Sequence, residues 1–180
     1  MKHVSACVLF FIIILNASFA ADVSVQFDEG TYYFTADFTV EATPKRVMEV
    51  LTDYESIHEL NPVIIESNLL ETSQSNITRI RTVLRDCVLF FCRTITRVED
   101  VAQINNERLE AYLIPMMSDL RSGEAVWVLN EIPTGTTVNY EANMQPKFWI
   151  PPFIRSYVLT KKFKNRVLES IERLQKVATS

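Results

Sequence analysis

Acid–base chemistry near neutral pH calls for a histidine or a perturbed carboxylate, and this chain offers few of either in a suggestive setting. Its two histidines are His3 and His58. His58 lies in the short segment Ser56–Leu60 with no partner marked by its neighbours. It reads as a rim residue or as a weak acid/base candidate. Asp53 reads as the end or cap of a short helix, with a role as acid as the alternative. Two histidines cannot build a His-rich metal site or a zinc-protease helix, so no metal ligands are assigned. The three glycines, Gly30, Gly123 and Gly135, are scattered, with none within six residues of another. That excludes the clustered-glycine cradles of nucleotide and dinucleotide folds, and no cofactor is expected.

Cysteine offers a second kind of chemistry. Cys87 and Cys92 are five positions apart in a strand-like stretch. On one continuous strand they would point to opposite faces, beyond bonding range. If the chain turns back over Val88 to Phe91, they meet across a hairpin and can form a disulfide. Two free thiols and a redox pair are the alternatives, although the spacing is not the CxxC of redox motifs. Asn76-Ile77-Thr78 is a formal glycosylation sequon, relevant in a eukaryotic source.

The compartment follows from the amino terminus. Met1-Lys2-His3 is a short basic start, Val4–Leu15 is almost wholly apolar, and Ser18 and Ala20 are small. This is the pattern of a secretory signal peptide over residues 1–20, cleaved after Ala20, and it implies an exported, periplasmic protein. About a dozen apolar residues fall short of the ~20 needed to span a bilayer. Cleavage removes Lys2 and leaves 17 basic against 22 acidic side chains, a formal charge of −5. It also leaves His58 as the sole histidine. An acidic chain of this kind lacks the basic footprint of a nucleic-acid binder.

These residues must be positioned by a single domain, which 180 residues with 48% apolar content can build. Residues 21–29 are read as an amino-terminal extension. From Tyr32 to Ala42 the even positions are apolar or small and the odd ones mostly polar, the alternation of a half-buried strand. Thr43-Pro44 opens a helix, with Thr43 as N-cap and an apolar stripe Val47, Val50 and Leu51. A second short helix over Ser56–Leu60 stops before Asn61-Pro62. Six strands follow, at about 63–72, 76–87, 92–103, 107–114, 122–132 and 136–145, separated by turn signals. After Pro151-Pro152, the segment Phe153–Val177 contains neither glycine nor proline and reads as one long amphipathic helix.

At 100° per residue Phe153, Tyr157, Val167, Leu168, Ile171 and Leu174 share a face. Arg155, Lys162, Arg166 and Arg173 lie opposite. Lys164 falls about 20° from Phe153 on the apolar face. There it must snorkel, pair with an acid or meet a ligand head group, with Arg121 as another cationic candidate. Trp149, Phe153 and Tyr157, with Met116 and Met117 in a loop, read as a hydrophobic gate or as plain core. Trp127 and Tyr140 read as core. Lys161–Arg166 forms a basic patch that suits transient contact with membrane lipid or is simply solvated. Nothing in the sequence speaks to oligomeric state.

The order of one strand, two short helices, six meandering strands and a terminal helix resembles the helix-grip fold of the START-like superfamily (SRPBCC, Bet v 1-like). The segments Phe38–Val47, Val50–Ile57 running to Asn61-Pro62-Val63, and Phe148–Ile154 resemble its coenzyme Q-binding and polyketide cyclase-like branch. The resemblance covers residues 30–178. It implies an α+β domain in which a curved antiparallel seven-stranded sheet wraps a long carboxy-terminal helix around an apolar cavity. The function it implies is binding of a hydrophobic small molecule such as a lipid, isoprenoid or quinone. Met116, Met117, Arg121, Trp149, Phe153, Tyr157 and Lys164 are then the candidate ligand contacts. The alternative is a cyclase- or dehydratase-like enzyme using His58 or Asp53; few polar groups are expected in the cavity, which favours binding over catalysis.

Overall fold

The computed structural model describes residues 21–88 and 91–180. The signal-peptide segment lies outside the described residues, as do positions 89 and 90 of the hairpin that carries the cysteines. Eight antiparallel strands form one sheet in the order β1-β2-β8-β7-β6-β5-β4-β3. The strands are β1 (Asp22–Asp28), β2 (Thr31–Val40), β3 (Ile64–Leu70), β4 (Thr78–Val88), β5 (Phe91–Gln103), β6 (Arg108–Leu113), β7 (Leu120–Ile132) and β8 (Gly135–Pro146). Two helices, α1 (Pro44–Leu51) and α2 (Ile57–Leu60), follow β2, and α3 (Leu159–Ala178) closes the chain. This is the expected α+β helix-grip arrangement, with one strand more than expected.

The additional strand is the segment read as an extension. Val23, Val25 and Phe27 alternate with polar residues, and β1 pairs with β2 from Asp22↔Asp37 to Asp28↔Thr31. Glu29 and Gly30 between them have φ of 43° and 90°. Positive φ at both central residues matches the twist of the flanking strands, and glycine adopts it without strain.

Local chemistry accounts for the helix starts. The Thr43 side chain accepts a hydrogen bond from the Arg46 N–H at 3.3 Å, and Pro44 occupies the first turn. Asp53 Oδ1 accepts from the Ser56 N–H at 3.3 Å, which shapes the approach to α2. Even-numbered β2 residues are inward, with Tyr32, Ala36, Phe38 and Val40 buried, as the alternation predicts.

The carboxy-terminal helix is fixed at both ends. At its far end the Arg46 guanidinium donates to the Val177 carbonyl (3.1 Å), and the Glu41 N–H donates to Gln175 Oε1 (3.0 Å). Ile171, Leu174 and Ala178 pack there with Val47, Met48 and Val50 of α1. At its near end the fully buried Tyr32 donates its hydroxyl to the Arg155 carbonyl at 2.9 Å and meets Phe163 edge-on. Burial pushes the Tyr32 phenol well above its ordinary pKa, which keeps it a donor.

One departure from regular helix matters for the site. Ile154–Val158 forms a π-helical turn before α3. An i→i+5 turn inserts an extra residue and offsets the phase of everything after it. The faces before and after the turn therefore do not align as a uniform 100° wheel predicts. Ile150 and Ile154 face inward, so Trp149, Phe153 and Tyr157 are exposed. Beyond the turn Phe163, Val167, Ile171 and Leu174 face the sheet, while Lys164 is exposed. Lys164 thus does not lie on the apolar face, and Arg166, expected on the outer face, faces inward. Among the described residues no helix is long and apolar enough to cross a membrane.

Candidate functional site

A cavity of about 340 Å³ lies between the concave face of the sheet and α3. Its cause is legible in the register. Ala111, Ala125 and Ala142 stand side by side across β6, β7 and β8, and Leu113, Gly123 and Met144 form the adjacent row. Small side chains at inward positions of the central strands leave space that larger ones would fill. Phe34 and Phe38 of β2, Leu84 and Ile95 of β4 and β5, and Ile57 and Leu60 of α2 contribute to the walls. Phe163, Val167, Ile171 and Leu174 form the helical side. Trp127 and Tyr140, read as core, pair across β7 and β8 with ring centroids 5.0 Å apart, and both line the cavity. Burial raises the Tyr140 phenol to about 12, so it stays protonated.

The cavity is not purely apolar. Asn61, Glu124, Asn143 and Ser170 are among its lining residues, and two ion-pair groupings reach it as well, contrary to the expectation of few polar groups. The first is Arg97 and Glu99 on β5. Arg97 Nε lies 3.0 Å from Glu99 Oε2 and 3.3 Å from Thr82 Oγ1, so this pair is matched charge for charge. The second joins β4 to α3. Lys162 Nζ lies 2.5 Å from Asp86 Oδ1 and also donates to the Cys87 carbonyl. Arg166 Nη2 is 3.5 Å from the same carboxylate, and Arg166 Nη1 donates to Glu169 at 2.7 Å. Of this second group, Asp86 and Arg166 line the cavity.

Burial by itself would raise the Asp86 pKa. The hydrogen bonds from Lys162 and the Cys87 N–H, with the charges of Lys162 and Arg166, outweigh it and hold the carboxyl below its usual value. A folded pKa below the unfolded one stabilises the fold above the unfolded value near ~4, and the contribution is lost as pH falls through the folded value. Thermal unfolding followed from pH 7 to pH 2 should show Asp86→Asn with a shallower acid-side loss of Tm than the parent. Parallel curves would refute the assignment.

Cys87 and Cys92 form the disulfide across the β4–β5 hairpin, with Cα atoms 3.9 Å apart in directly opposed positions. The bond closes a very short loop and so pins the hairpin mouth that Lys162 ties to the helix.

None of Met116, Met117, Arg121, Trp149, Phe153, Tyr157 and Lys164 is among the residues lining the cavity. His58 is exposed on α2, whose Ile57 and Leu60 do reach it. Asp53 lines a separate polar cleft with Arg46, Glu49 and Glu59. Sequence reasoning missed Asp86, Arg97, Glu99 and Arg166. For the strand residues a signal exists: Ile80, Thr82, Leu84 and Asp86 share one alternating face, opposite Glu99, Arg97, Ile95 and Arg93. Among the described residues no group of three or more His, Cys, Asp or Glu is placed to hold a metal ion.

The sequence profile of the family described as "Polyketide cyclase / dehydrase and lipid transport" matches residues 33–179, most of the chain. The chain belongs to this family. Among solved structures it is similar to a STAR-related lipid transfer protein from Xanthomonas axonopodis, with TM-score 0.67 and 15% identity over 88% of this chain and 99% of that one. Human STARD10 is similar at TM-score 0.61 and 11% identity, covering 87% and 73% of the two chains. The Zhui aromatase/cyclase from a Streptomyces species is similar at TM-score 0.55 and 12% identity, covering 82% and 91%. At these identities the likeness establishes the helix-grip fold. No curated protein matches the sequence at a significant level.

Proposed function

We propose that the protein is an exported carrier that holds a hydrophobic small molecule, such as a lipid, isoprenoid or quinone-like compound, in the cavity between sheet and α3. The observation that carries this reading is the cavity itself: about 340 Å³ of largely apolar space, kept open by the alanine row and bordered by two polar groupings. Its size is at the lower end of small-molecule sites. Burial of apolar ligand surface at ~25 cal/mol per Å² would supply the affinity. Export is supported by the amino-terminal sequence pattern and by the disulfide, which suits an oxidising compartment. The cyclase reading is less favoured, because His58 and Asp53 lie outside the cavity and Glu99 is held by Arg97.

Trp127 allows a direct test. The chain has two tryptophans, and Trp149→Phe leaves only the one that lines the cavity. Titration of that variant, after solvent extraction, with a short-chain quinone should quench the remaining emission saturably. Linear, non-saturating quenching would contradict a cavity site.

Transient contact with a membrane belongs to the same reading. Met116, Trp149, Phe153 and Tyr157 are 93%, 70%, 59% and 72% exposed, large fractions for such side chains. Lys147 joins their segments by donating to the Pro115 and Ser118 carbonyls at 2.5 and 2.8 Å. Exposed Arg121, Arg155, Lys161 and Lys164 lie in or beside these segments, on a chain of net charge −4. Aromatic residues beside cations suit an anionic bilayer surface. Co-sedimentation with phosphatidylglycerol vesicles should fall at least about fivefold in Met116→Ser/Trp149→Ser, each exposed apolar anchor contributing on the order of 1 kcal/mol. Unchanged sedimentation would remove the membrane from the account.

A further inference from the structure

Resting on the carrier reading, we propose that the ligand bears a neutral carbonyl oxygen, as in a ketone, ester or quinone, which accepts hydrogen bonds from the Tyr140 hydroxyl and the Trp127 indole N–H. In the sheet register Ala36, Tyr140, Trp127 and Leu109 form one inward row across β2, β8, β7 and β6. Behind that row Val138 and Leu129 are fully buried. In front of it stand Ala142 and Ala125, small residues that line the cavity. The two rings therefore sit where packed core gives way to open space, and both line it. Burial, the main influence on the Tyr140 phenol, keeps it a donor, and Arg97 and Glu99 act on it from β5, three strands away.

The protein itself uses neither polar atom. Buried tyrosine O–H and tryptophan N–H groups ordinarily find a partner. Among the described residues none supplies an acceptor to Tyr140 or Trp127. Nor are these atoms sealed, as Arg166 Nε and the Ser67 hydroxyl are, so a molecule in the cavity can reach them. Charge decides what kind of acceptor fits. The lining residues include three acids, Asp86, Glu99 and Glu124, against two bases, Arg97 and Arg166. Both bases already face an acid, Arg97 at Glu99 and Arg166 at Asp86, so no surplus of positive charge awaits an anionic head group. The donors left over are uncharged. An indole N–H can only donate, and a carbonyl oxygen, with two lone pairs, can accept from both groups. Burying a carbonyl in apolar surroundings is unfavourable unless such donors meet it.

Three probes separate the possibilities: methyl heptyl ketone, the alkene with a methylene in place of its oxygen, and nonanoate. Each is titrated calorimetrically into solvent-extracted protein at neutral pH. The ketone should bind at least as tightly as the alkene, although a purely apolar cavity would disfavour its carbonyl by roughly tenfold. Nonanoate should bind more weakly than the ketone. Tyr140→Phe should weaken ketone binding about fivefold, the scale of one net hydrogen bond, and leave alkene affinity within about twofold. Its Tm should not fall, because no bond within the protein is lost. The infrared carbonyl stretch of the bound ketone, isotope-labelled at that carbon, should lie below its frequency in hexane and move back toward it in Tyr140→Phe. A band at the hexane frequency in the parent protein, or tighter binding of the alkene or nonanoate than of the ketone, would overturn the proposal; these comparisons need no variant to fold. If neither ketone nor alkene binds, it is the carrier reading that fails.

Discussion

Replacing Ala142 with tryptophan should empty the cavity while leaving the fold in place. Ala142 lies on the inward face of β8, between Phe34 of β2 and Ala125 of β7 in the register. With Ala125 and Gly123 it is one of the small lining residues that leave the space open. An indole at this position projects into the cavity rather than into packed core, because Ala142 is a lining residue and only partly buried. Overpacking costs typically about 1–3 kcal/mol where a core is already full, and less where a void receives the added atoms. Ligand carried through purification, or affinity for an apolar probe, should therefore drop at least about tenfold, with a change in stability of less than about 2 kcal/mol. Retained loading beside a large loss of stability would mean that the ligand lies elsewhere and that Ala142 is ordinary core.

The largest effect on stability is expected at Gly135. It begins β8 with φ 141°, a conformation L side chains rarely adopt. A Cβ placed there would meet the Val40 carbonyl oxygen at 2.1 Å and Glu41 Cα at 2.9 Å. Both contacts are backbone, so relief requires moving the end of β2 away from β8, where Val40 pairs with Thr136. Gly135→Ala combines strain at an unfavourable φ with that displacement, and should destabilise by about 3 kcal/mol or more. The midpoint of urea unfolding measures this. A midpoint within experimental error of the parent would contradict the close approach of β2 and β8.

How far the fold and site can be read from the residues alone depends on whether the deciding interaction is local. The inward faces of β2 and β8 follow from simple alternation, and α1 follows from Thr43-Pro44, because capping and pleating act over a few residues. The strand β1 is equally local in Val23, Val25, Phe27 and the Glu29-Gly30 turn; reading it as an extension overlooked that alternation. The phase of the grip helix is different. The π turn at Ile154–Val158 is stabilised by tertiary contacts, including the bond from Tyr32 to the Arg155 carbonyl. No residue pattern in the helix announces it. The offset separates Phe153 and Tyr157, which turn outward, from Val167, Ile171 and Leu174; the inward face then centres near Phe163, which leaves Lys164 outside it and brings in Arg166. Asp86, Arg97 and Glu99 were hidden for another reason. Charged residues on a mixed alternating face look solvent-exposed until the partners are known: Thr82 of β4 for Arg97 beside Glu99, and Lys162 and Arg166 of α3 for Asp86.

The central claim is that this cavity is occupied in the working protein by a hydrophobic small molecule. Native mass spectrometry of protein purified without detergent, before and after organic-solvent extraction, tests it most directly. The account predicts a reproducible added mass that extraction removes, that excess of the extracted compound restores, and that Ala142→Trp lacks. A bare-chain mass under all conditions, with no uptake from a total lipid extract, would contradict it.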